Sequence, residues 1–150
     1  MRFDMRVATF ILVIVAMAGA AAARAAGRAE EAVEAFHHAL ESGDRAGALA
    51  VLSDDVRIFE QGWVEQSKAE YANHHLDSDI AFSKAVTEAT TSVDVSVDGS
   101  MAVVMRQGTS KGTFEAKTVD SIGLETMVLH KRGDVWKIVH IHWSSRKAGK

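Results

Sequence analysis

The order of hydrophobic patterns along the chain constrains the fold more than any other feature. Apolar residues first recur at helical spacing from Arg28 to Ser42, and Gly43 then suits the left-handed position just after a helix. From residue 92 onwards they alternate instead, in segments separated by turn sequences such as Asp98-Gly99 and Arg132-Gly133-Asp134. This order predicts a single-domain α+β fold in which N-terminal helices cover one face of an antiparallel sheet.

Shorter signals predict the remaining elements. Asp44 is expected to cap a short second helix, which a strand over 56–60 and a Gln61-Gly62 turn follow. The sequence Ser67-Lys68-Ala69-Glu70 has the form of a capping box, so a third helix is expected from there to about Leu76. Further strands are predicted over 92–97, 101–107, 119–130 and 135–144, with a Gly-rich turn region up to Gly112 and a candidate bulge at Gly123.

The last two predicted strands are apolar on both faces. Ile138 is followed by Val139 in one strand, and Met127 by Val128 in the other. A sheet with one face in water alternates more clearly between apolar and polar residues. We therefore expect one face to pack on the helices and the other on a second subunit, in a homodimer.

The N-terminus has the pattern of a secretory signal. Arg2 and Arg6 precede the apolar run Val7–Ala18, and small residues then offer cleavage sites at Ala23-Arg24-Ala25 (preferred) or Ala20-Ala21-Ala22. This run is shorter than the roughly 20 residues that span a bilayer. The sequence predicts a signal peptide over 1–25, a mature domain over 26–150, and a periplasmic or secreted protein with no stable membrane insertion after cleavage.

The composition excludes several kinds of site. The chain has no Cys, so it has no disulfide, thiolate nucleophile, Cys-ligated zinc or iron–sulfur cluster. Its formal net charge is −3, and basic residues cluster only in the tail from Arg146 to Lys150. This distribution argues against nucleic acid or an anionic membrane surface as the main partner. The function is therefore expected to depend on histidines and carboxylates.

Two histidines near the C-terminus form the first group of candidates. In His140-Ile141-His142, strand alternation places both imidazoles on the same face. Imidazole is a common metal ligand and a general acid or base near pH 7. The pair is either part of a site or held structurally by hydrogen bonds.

A second group lies on the third predicted helix. Tyr71, His75 and Asp79 are four residues apart, so an unbroken helix aligns them along one side. A break at residue 77 or 78 instead leaves Asp79 nearby but aimed differently. His74 competes with His75 for the position that faces a pocket.

Glu125 is the third candidate, because it interrupts an apolar strand. Burying a carboxylate without a partner is costly, so Glu125 either orients a histidine, binds a metal, pairs with Arg106 or faces solvent. Among the tryptophans, Trp63 is favoured as a pocket wall. His37 and His38 are expected to be ordinary residues of the helix surface or of the contact between helix and sheet.

The longest recognisable motif runs from Glu125 to Ser145 and includes Lys131-Arg132-Gly133-Asp134 and His140-Ile141-His142-Trp143. It resembles the final hairpin of the association domain of calcium/calmodulin-dependent kinases and its bacterial stand-alone relatives. The sequence Tyr71-Ala72-Asn73-His74-His75-Leu76 is similar to that of a bacterial exported subgroup. From about Ala29 to Arg146 the chain thus resembles the nuclear-transport-factor-two-like superfamily, which includes ketosteroid isomerase and SnoaL-like polyketide cyclases.

The resemblance implies a strongly curved, cone-shaped antiparallel sheet wrapped around N-terminal helices, with a pocket at its open end and usually a dimer. It leaves the chemistry open, because this superfamily contains isomerases, dehydratases, cyclases, hydrolases and non-catalytic binding domains.

Three functions fit these observations, and whether the protein is an enzyme stays open. The first is an exported pocket protein that binds a small ligand or a metal ion (zinc, copper or iron), with no organic cofactor implied. The second is an enzyme of the isomerase, cyclase or dehydratase type, using a His/Asp or His/Glu pair for acid–base chemistry on a small organic substrate. The third is a structural dimerisation module.

The candidate residues for these functions overlap. The pocket candidates are Trp63, Tyr71, His75, Glu125, His140 and His142. The metal candidates are His75, Asp79, Glu125, His140 and His142. The catalytic candidates are His75, Asp79 and His140.

Overall fold

The computed structural model of the protein describes residues 5–149, with side chains for residues 23–26 and 28–149. The expected signal peptide lies outside the residues whose side chains are described, except at its C-terminal end. Its backbone from Met5 onwards belongs to the first helix. None of the helices described has the combination of length and apolar character required to cross a membrane.

The described residues form the predicted helices and strands in the predicted order, together with a short strand and a fourth helix that were not predicted as separate elements. The helices are α1 (Met5–Ser42), α2 (Arg45–Val51), α3 (Lys68–His74) and α4 (Leu76–Ala85). The strands are β1 (Leu52–Glu60), β2 (Trp63–Glu65), β3 (Val86–Asp98), β4 (Met101–Phe114), β5 (Lys117–Arg132) and β6 (Val135–Lys147).

The six strands form one curved, open sheet in the order β2-β1-β6-β5-β4-β3. The predicted meander is confirmed for β3 to β6, in which every pair is antiparallel. Strand β1 pairs in parallel with β6, so the last strand lies between the first strand and the meander. The predicted α+β class is therefore correct, and the sheet contains one parallel pair.

The core lies between helix α1 and the concave face of the sheet. Val33, Phe36 and Leu40 lie on one face of α1, as their spacing predicts, and they are buried. The ring of Phe36 stacks on Trp143 of β6, with the centroids 6.3 Å apart. The sheet contributes the buried residues Leu52, Val56, Ile58, Ala102, Val104, Met127, Leu129, Trp136, Ile138 and Ile141.

The predicted helix caps are present. Gly43 adopts a left-handed φ of 79° after α1, and the Asp44 side chain accepts a hydrogen bond from the N–H of Gly47 at 2.9 Å. Ser67 accepts a hydrogen bond from the N–H of Glu70 at 3.2 Å. The helix that Ser67 caps ends at His74, and α4 begins at Leu76, so the break comes slightly earlier than residues 77 and 78.

The glycines of β4 and β5 have roles that differ from the predicted ones. Strand β4 continues through Gly112 to Phe114, and the chain turns at Glu115-Ala116 instead. Gly123 pairs regularly with Gly108, and the shift in register between β5 and β6 comes at Val128. A Cβ on Gly112 would lie 2.7 Å from the carbonyl oxygen of Ala85, so this glycine allows a close approach of two backbones.

Replacing Gly112 with Ala should therefore destabilise the protein by about 1–3 kcal/mol, because backbone atoms have to move apart. Gly123→Ala is the matched control in the neighbouring strand, since its Cβ would meet nothing within 4 Å. Its free energy of unfolding should change by no more than about 0.5 kcal/mol. Urea unfolding measures both values, and equal effects of the two substitutions would contradict the close approach.

Candidate functional site

A small pocket lies between the α3–α4 corner and the strands β1, β2 and β6. It shares Glu60, Trp63, His75, Asp79 and Trp143 with a larger open cavity of about 1230 Å³ on the concave side of the sheet. The remaining residues that line the small pocket are Ile58, Glu65 and Tyr71.

Asp79, which is partly buried, forms a hydrogen-bonded pair with the buried Tyr71 in this pocket. The Tyr71 hydroxyl donates to Oδ2 of Asp79 at 2.8 Å. Burial raises the pKa of Asp79 to about 7; the Tyr71 hydrogen bond opposes this rise, and the Glu60 carboxylate adds to it. Burial, together with Asp79, also raises the pKa of Tyr71, so this hydroxyl keeps its proton.

Glu65, the last residue of β2, contacts both adjacent histidines, His74 and His75. Its side chain is only 7% exposed, and its Oε1 contacts Nδ1 of His75. Its Oε2 lies 3.4 Å from Nδ1 of His74. Of the two histidines, His75 lines the pocket and His74 is the more exposed. This arrangement decides between the two alternatives that the sequence left open.

Glu60, at the end of β1, adds a further carboxyl group to the pocket. Burial raises the pKa of Glu60, and the nearby His75 opposes the rise. Neither Glu60 nor Glu65 was among the residues singled out from the sequence. Glu60 is the last residue of β1 and Glu65 the last residue of β2, the two strands that the Gln61-Gly62 turn joins. Strand β2 has only three residues, so its hydrophobic pattern is too short to show which side chains face inwards.

Glu125 lies elsewhere on the wall of the larger cavity and is fully engaged. Its Oε1 is 3.0 Å from Nε2 of His37, and its Oε2 accepts a 2.7 Å hydrogen bond from the indole N–H of Trp143. Nη1 of Arg106 lies 3.8 Å from Oε1. Burial alone acts to raise the pKa of Glu125, but these partners hold it below its usual range.

Glu125 is therefore a buried anion that both orients a histidine and pairs with Arg106, two of the four alternatives given above. His37 thus lies at the contact between helix and sheet, one of the two positions expected for it, and its bond to a buried carboxylate is the feature that the sequence did not predict. Its partner lies 88 residues away in the sequence, so no local pattern could reveal it.

The positions of His140 and His142 also correct the predicted site. Ile141, between them, is fully buried in the core, so alternation places both imidazoles on the outer face of the sheet. There the His140 ring packs edge-on against Phe59, with the centroids 4.8 Å apart, and its Nδ1 donates to the carbonyl of Arg57 at 2.9 Å. Neither histidine lines the pocket or the larger cavity.

The structure thus brings together four of the predicted residues, Trp63, Tyr71, His75 and Asp79, and leaves Glu125 on the same cavity with different partners. The five predicted metal candidates do not converge. Among the side chains that the structure describes, the group of three with ligand atoms within 4.8 Å of one another consists of Glu65, Glu70 and His74.

Comparison with known proteins agrees with this architecture. The family model of the SnoaL-like domain matches residues 29–146. This chain belongs to the SnoaL-like family. It is therefore a member of the nuclear-transport-factor-two-like superfamily, and the resemblance seen in the sequence is confirmed. No functionally curated protein matches the chain.

Solved structures extend the comparison. A candidate ketosteroid isomerase from Shewanella frigidimarina is 38% identical, with a TM-score of 0.76, over 78% of this chain and 94% of its own. The CaMKII hub of S. rosetta is 20% identical, with a TM-score of 0.70, over 81% of this SnoaL-like chain and 96% of its own. A candidate CaMKII association domain from Xanthomonas campestris is 19% identical, with a TM-score of 0.64, over 76% of this chain and 82% of its own. The last two share the fold.

The raised pKa of Asp79 predicts how stability depends on pH. Between its ordinary value of 3.8 and about 7, the folded SnoaL-like protein keeps a proton on Asp79 that the unfolded chain releases. The stability that Asp79 contributes is present below the lower value and is lost as the pH rises through the upper one. We expect wild type to lose stability relative to Asp79→Asn over this range, by at most roughly 1.4 kcal/mol per pH unit.

Denaturant unfolding of both proteins between pH 4 and pH 8 measures this difference. Asp77→Asn is the control, because Asp77 lies in the same helix with its side chain 81% exposed, paired with Arg45. Its stability should follow that of wild type at every pH. Parallel curves for wild type and Asp79→Asn would show that Asp79 titrates normally.

Proposed function

We propose that this SnoaL-like protein binds a small carbonyl compound in its cavity and transfers a proton to or from a carbon next to the carbonyl group. The group that exchanges the proton is Asp79. The observation that carries the proposal is the position of this carboxyl in the pocket, hydrogen-bonded to Tyr71 at 2.8 Å, with its pKa raised to about 7. The 38% identity to a candidate ketosteroid isomerase supports the reaction class.

Asp79 suits this role because of its proton affinity. A general base works best when its pKa lies close to the working pH, since it is then both available and able to bind the proton that it removes. At neutral pH a carboxyl with a pKa of about 7 is present in both forms. The ionised form removes the proton, and the protonated form returns it at another carbon.

Tyr71 acts as a positioning residue. It occupies Oδ2 of Asp79, which leaves Oδ1 for the substrate. Tyr71 is itself fully buried, with its ring 6.5 Å from that of Phe36, so the carboxyl is held from a rigid part of the core. Fixed geometry of this kind lowers the entropy that the reaction has to lose at the transition state.

The remaining groups of the pocket fit a small organic ligand with a polar end. His75 lines the pocket, and Glu65 engages its Nδ1, so Nε2 is the ring nitrogen that a substrate oxygen would meet. Trp63 and Trp143 supply aromatic surface beside these polar groups. Mixed walls of this type are usual for pockets that bind small molecules.

Exchange of α-hydrogens for deuterium tests the proposal directly. Cyclohexanone and 1-tetralone in D2O serve as probes, and NMR follows the loss of their α-protons. We expect wild type to accelerate the exchange, with a rate that rises through about pH 7 as Asp79 ionises. Asp79→Asn should reduce the rate by about 10²–10⁴-fold, whereas Asp77→Asn should exchange like wild type.

Tyr71→Phe distinguishes positioning from simple structural support. The Tyr71 hydrogen bond lowers the pKa of Asp79, so its removal should move the midpoint of the pH–rate profile to higher pH. Equal exchange by wild type and Asp79→Asn overturns the role of Asp79. Binding of the ketones without any exchange makes the cavity a binding site only and overturns the proposed reaction.

We further propose that the protein is exported, as its N-terminal sequence predicts, and that it forms a homodimer through the outer face of the sheet. Phe59, Met101, Met105 and Leu124 are all more than two-fifths exposed. Each is adjacent in sequence to a buried inner-face residue, so alternation assigns all four to the outer face, and Leu124 also borders the larger cavity. Apolar side chains grouped on one face are typical of an interface.

Light scattering of the mature chain should therefore give twice the mass of one chain. Met105→Glu places a charge on the outer face and is expected to produce monomers. Ala46→Glu adds the same charge at an exposed position of α2 and should leave the dimer intact. A monomeric wild type, or a dimer that Met105→Glu does not weaken, contradicts this assembly.

A further inference from the structure

Three potential metal ligands meet on the outer side of the pocket wall. Glu65 ends β2, whereas Glu70 and His74 belong to α3. The two helix residues are four positions apart, so their side chains lie on the same face of the helix. One ligand atom from each of the three residues lies within 4.8 Å of the other two.

Glu65 offers the group a buried oxygen, Oε2, that forms no hydrogen bond. Glu65 is 5% exposed, and no hydrogen bond to its Oε2 is found among the described residues. Its other oxygen contacts Nδ1 of His75. The polar neighbour of Oε2 is Nδ1 of His74, 3.4 Å away, a contact that forms no hydrogen bond. Burying a carboxylate oxygen without a hydrogen bond is costly, so a cation bound between the two atoms would offset the cost of burying Oε2.

The spacing of the first two ligands already suits a transition metal. Oε2 of Glu65 and Nδ1 of His74 are 3.4 Å apart. Two ligands at the usual zinc distances of about 2.0–2.2 Å, in tetrahedral arrangement, lie roughly 3.3–3.5 Å from each other. The separation of these two atoms is therefore the one that two ligands of a single zinc ion have.

The position of the third ligand, Glu70, is fixed by local hydrogen bonds. The backbone N–H of Gln66 donates to its Oε2 at 2.5 Å, and Ser67 caps the helix that carries it. This hydrogen bond holds the carboxylate beside the end of β2, where one of its oxygens lies within 4.8 Å of ligand atoms of Glu65 and His74. The exposed side of His74 leaves a fourth position for water.

We propose that Glu65, Glu70 and His74 bind one divalent transition-metal ion of the zinc class. One imidazole and two carboxylates suit zinc and its neighbours better than calcium, which takes six to eight oxygen ligands. The bound ion ties β2 to α3 and holds Glu65, which contacts His75 through its other oxygen. The ligand set differs from the metal candidates that the sequence suggested, and it includes neither Asp79 nor His75.

Isothermal titration of the tag-free, chelator-treated protein with zinc chloride tests the site. We expect one equivalent of zinc per chain and a rise in Tm on binding. His74→Ala and Glu70→Gln should each weaken binding at least tenfold. His38→Ala, an exposed histidine of α1, is the control and should bind zinc like wild type. His74 and Glu70 lie outside the core, and circular dichroism verifies that both variants fold.

The outcomes separate this site from the proposed reaction. Asp79→Asn, which tests proton transfer, should retain full zinc binding, so either proposal can fail while the other holds. Less than about a tenth of an equivalent of zinc, or equal binding by wild type, His74→Ala and Glu70→Gln, overturns the metal site. In that case the contact between His74 and Glu65 is an ordinary ion pair.

Discussion

The packing of Phe36 against the concave face of the sheet is the contact on which the rest of the structure depends. Its ring stacks on Trp143 on one side and meets Tyr71 on another. Trp143 in turn donates its indole N–H to Glu125, and Tyr71 donates its hydroxyl to Asp79. One apolar side chain of α1 therefore supports both aromatic residues that donate hydrogen bonds to the carboxyl groups of Glu125 and Asp79.

The two carboxyl groups differ because of the partners that each one has. Glu125 is surrounded by His37, Trp143 and Arg106, which stabilise its charged form against the cost of burial. Asp79 receives one neutral hydrogen bond and lies near further carboxylates, so burial prevails and its proton is held more tightly. When similar groups in one cavity have such different proton affinities, the one poised near neutral pH is the better candidate for proton transfer.

The fold could be predicted from the sequence, whereas the site could be predicted only in part. Helical and strand periodicity, caps and turn sequences are local, and they predicted the order of all elements except the short strand β2 and the separate helix α4. The four-residue spacing of Tyr71, His75 and Asp79 indicated a common pocket even though the helix breaks at His75. Alternation showed that His140 and His142 share a face of the sheet. It could not show that this is the outer face, because that depends on Ile141 being the residue that packs in the core. The partners of Glu125 and the inward direction of Glu65 come from tertiary contacts that no local pattern records.

The parallel pairing of β1 with β6 also determines when the sheet can be completed. Because β6 lies between β1 and β5, the first strand has no neighbour in the meander until the last strand has been synthesised. The hairpins of β3, β4 and β5 can form from nearby residues, but closing the sheet requires contacts across most of the chain, and such contacts form slowly. Closing of the sheet therefore waits for Val135–Lys147, because no other strand joins β1 to the meander in the part of the chain that the structure describes.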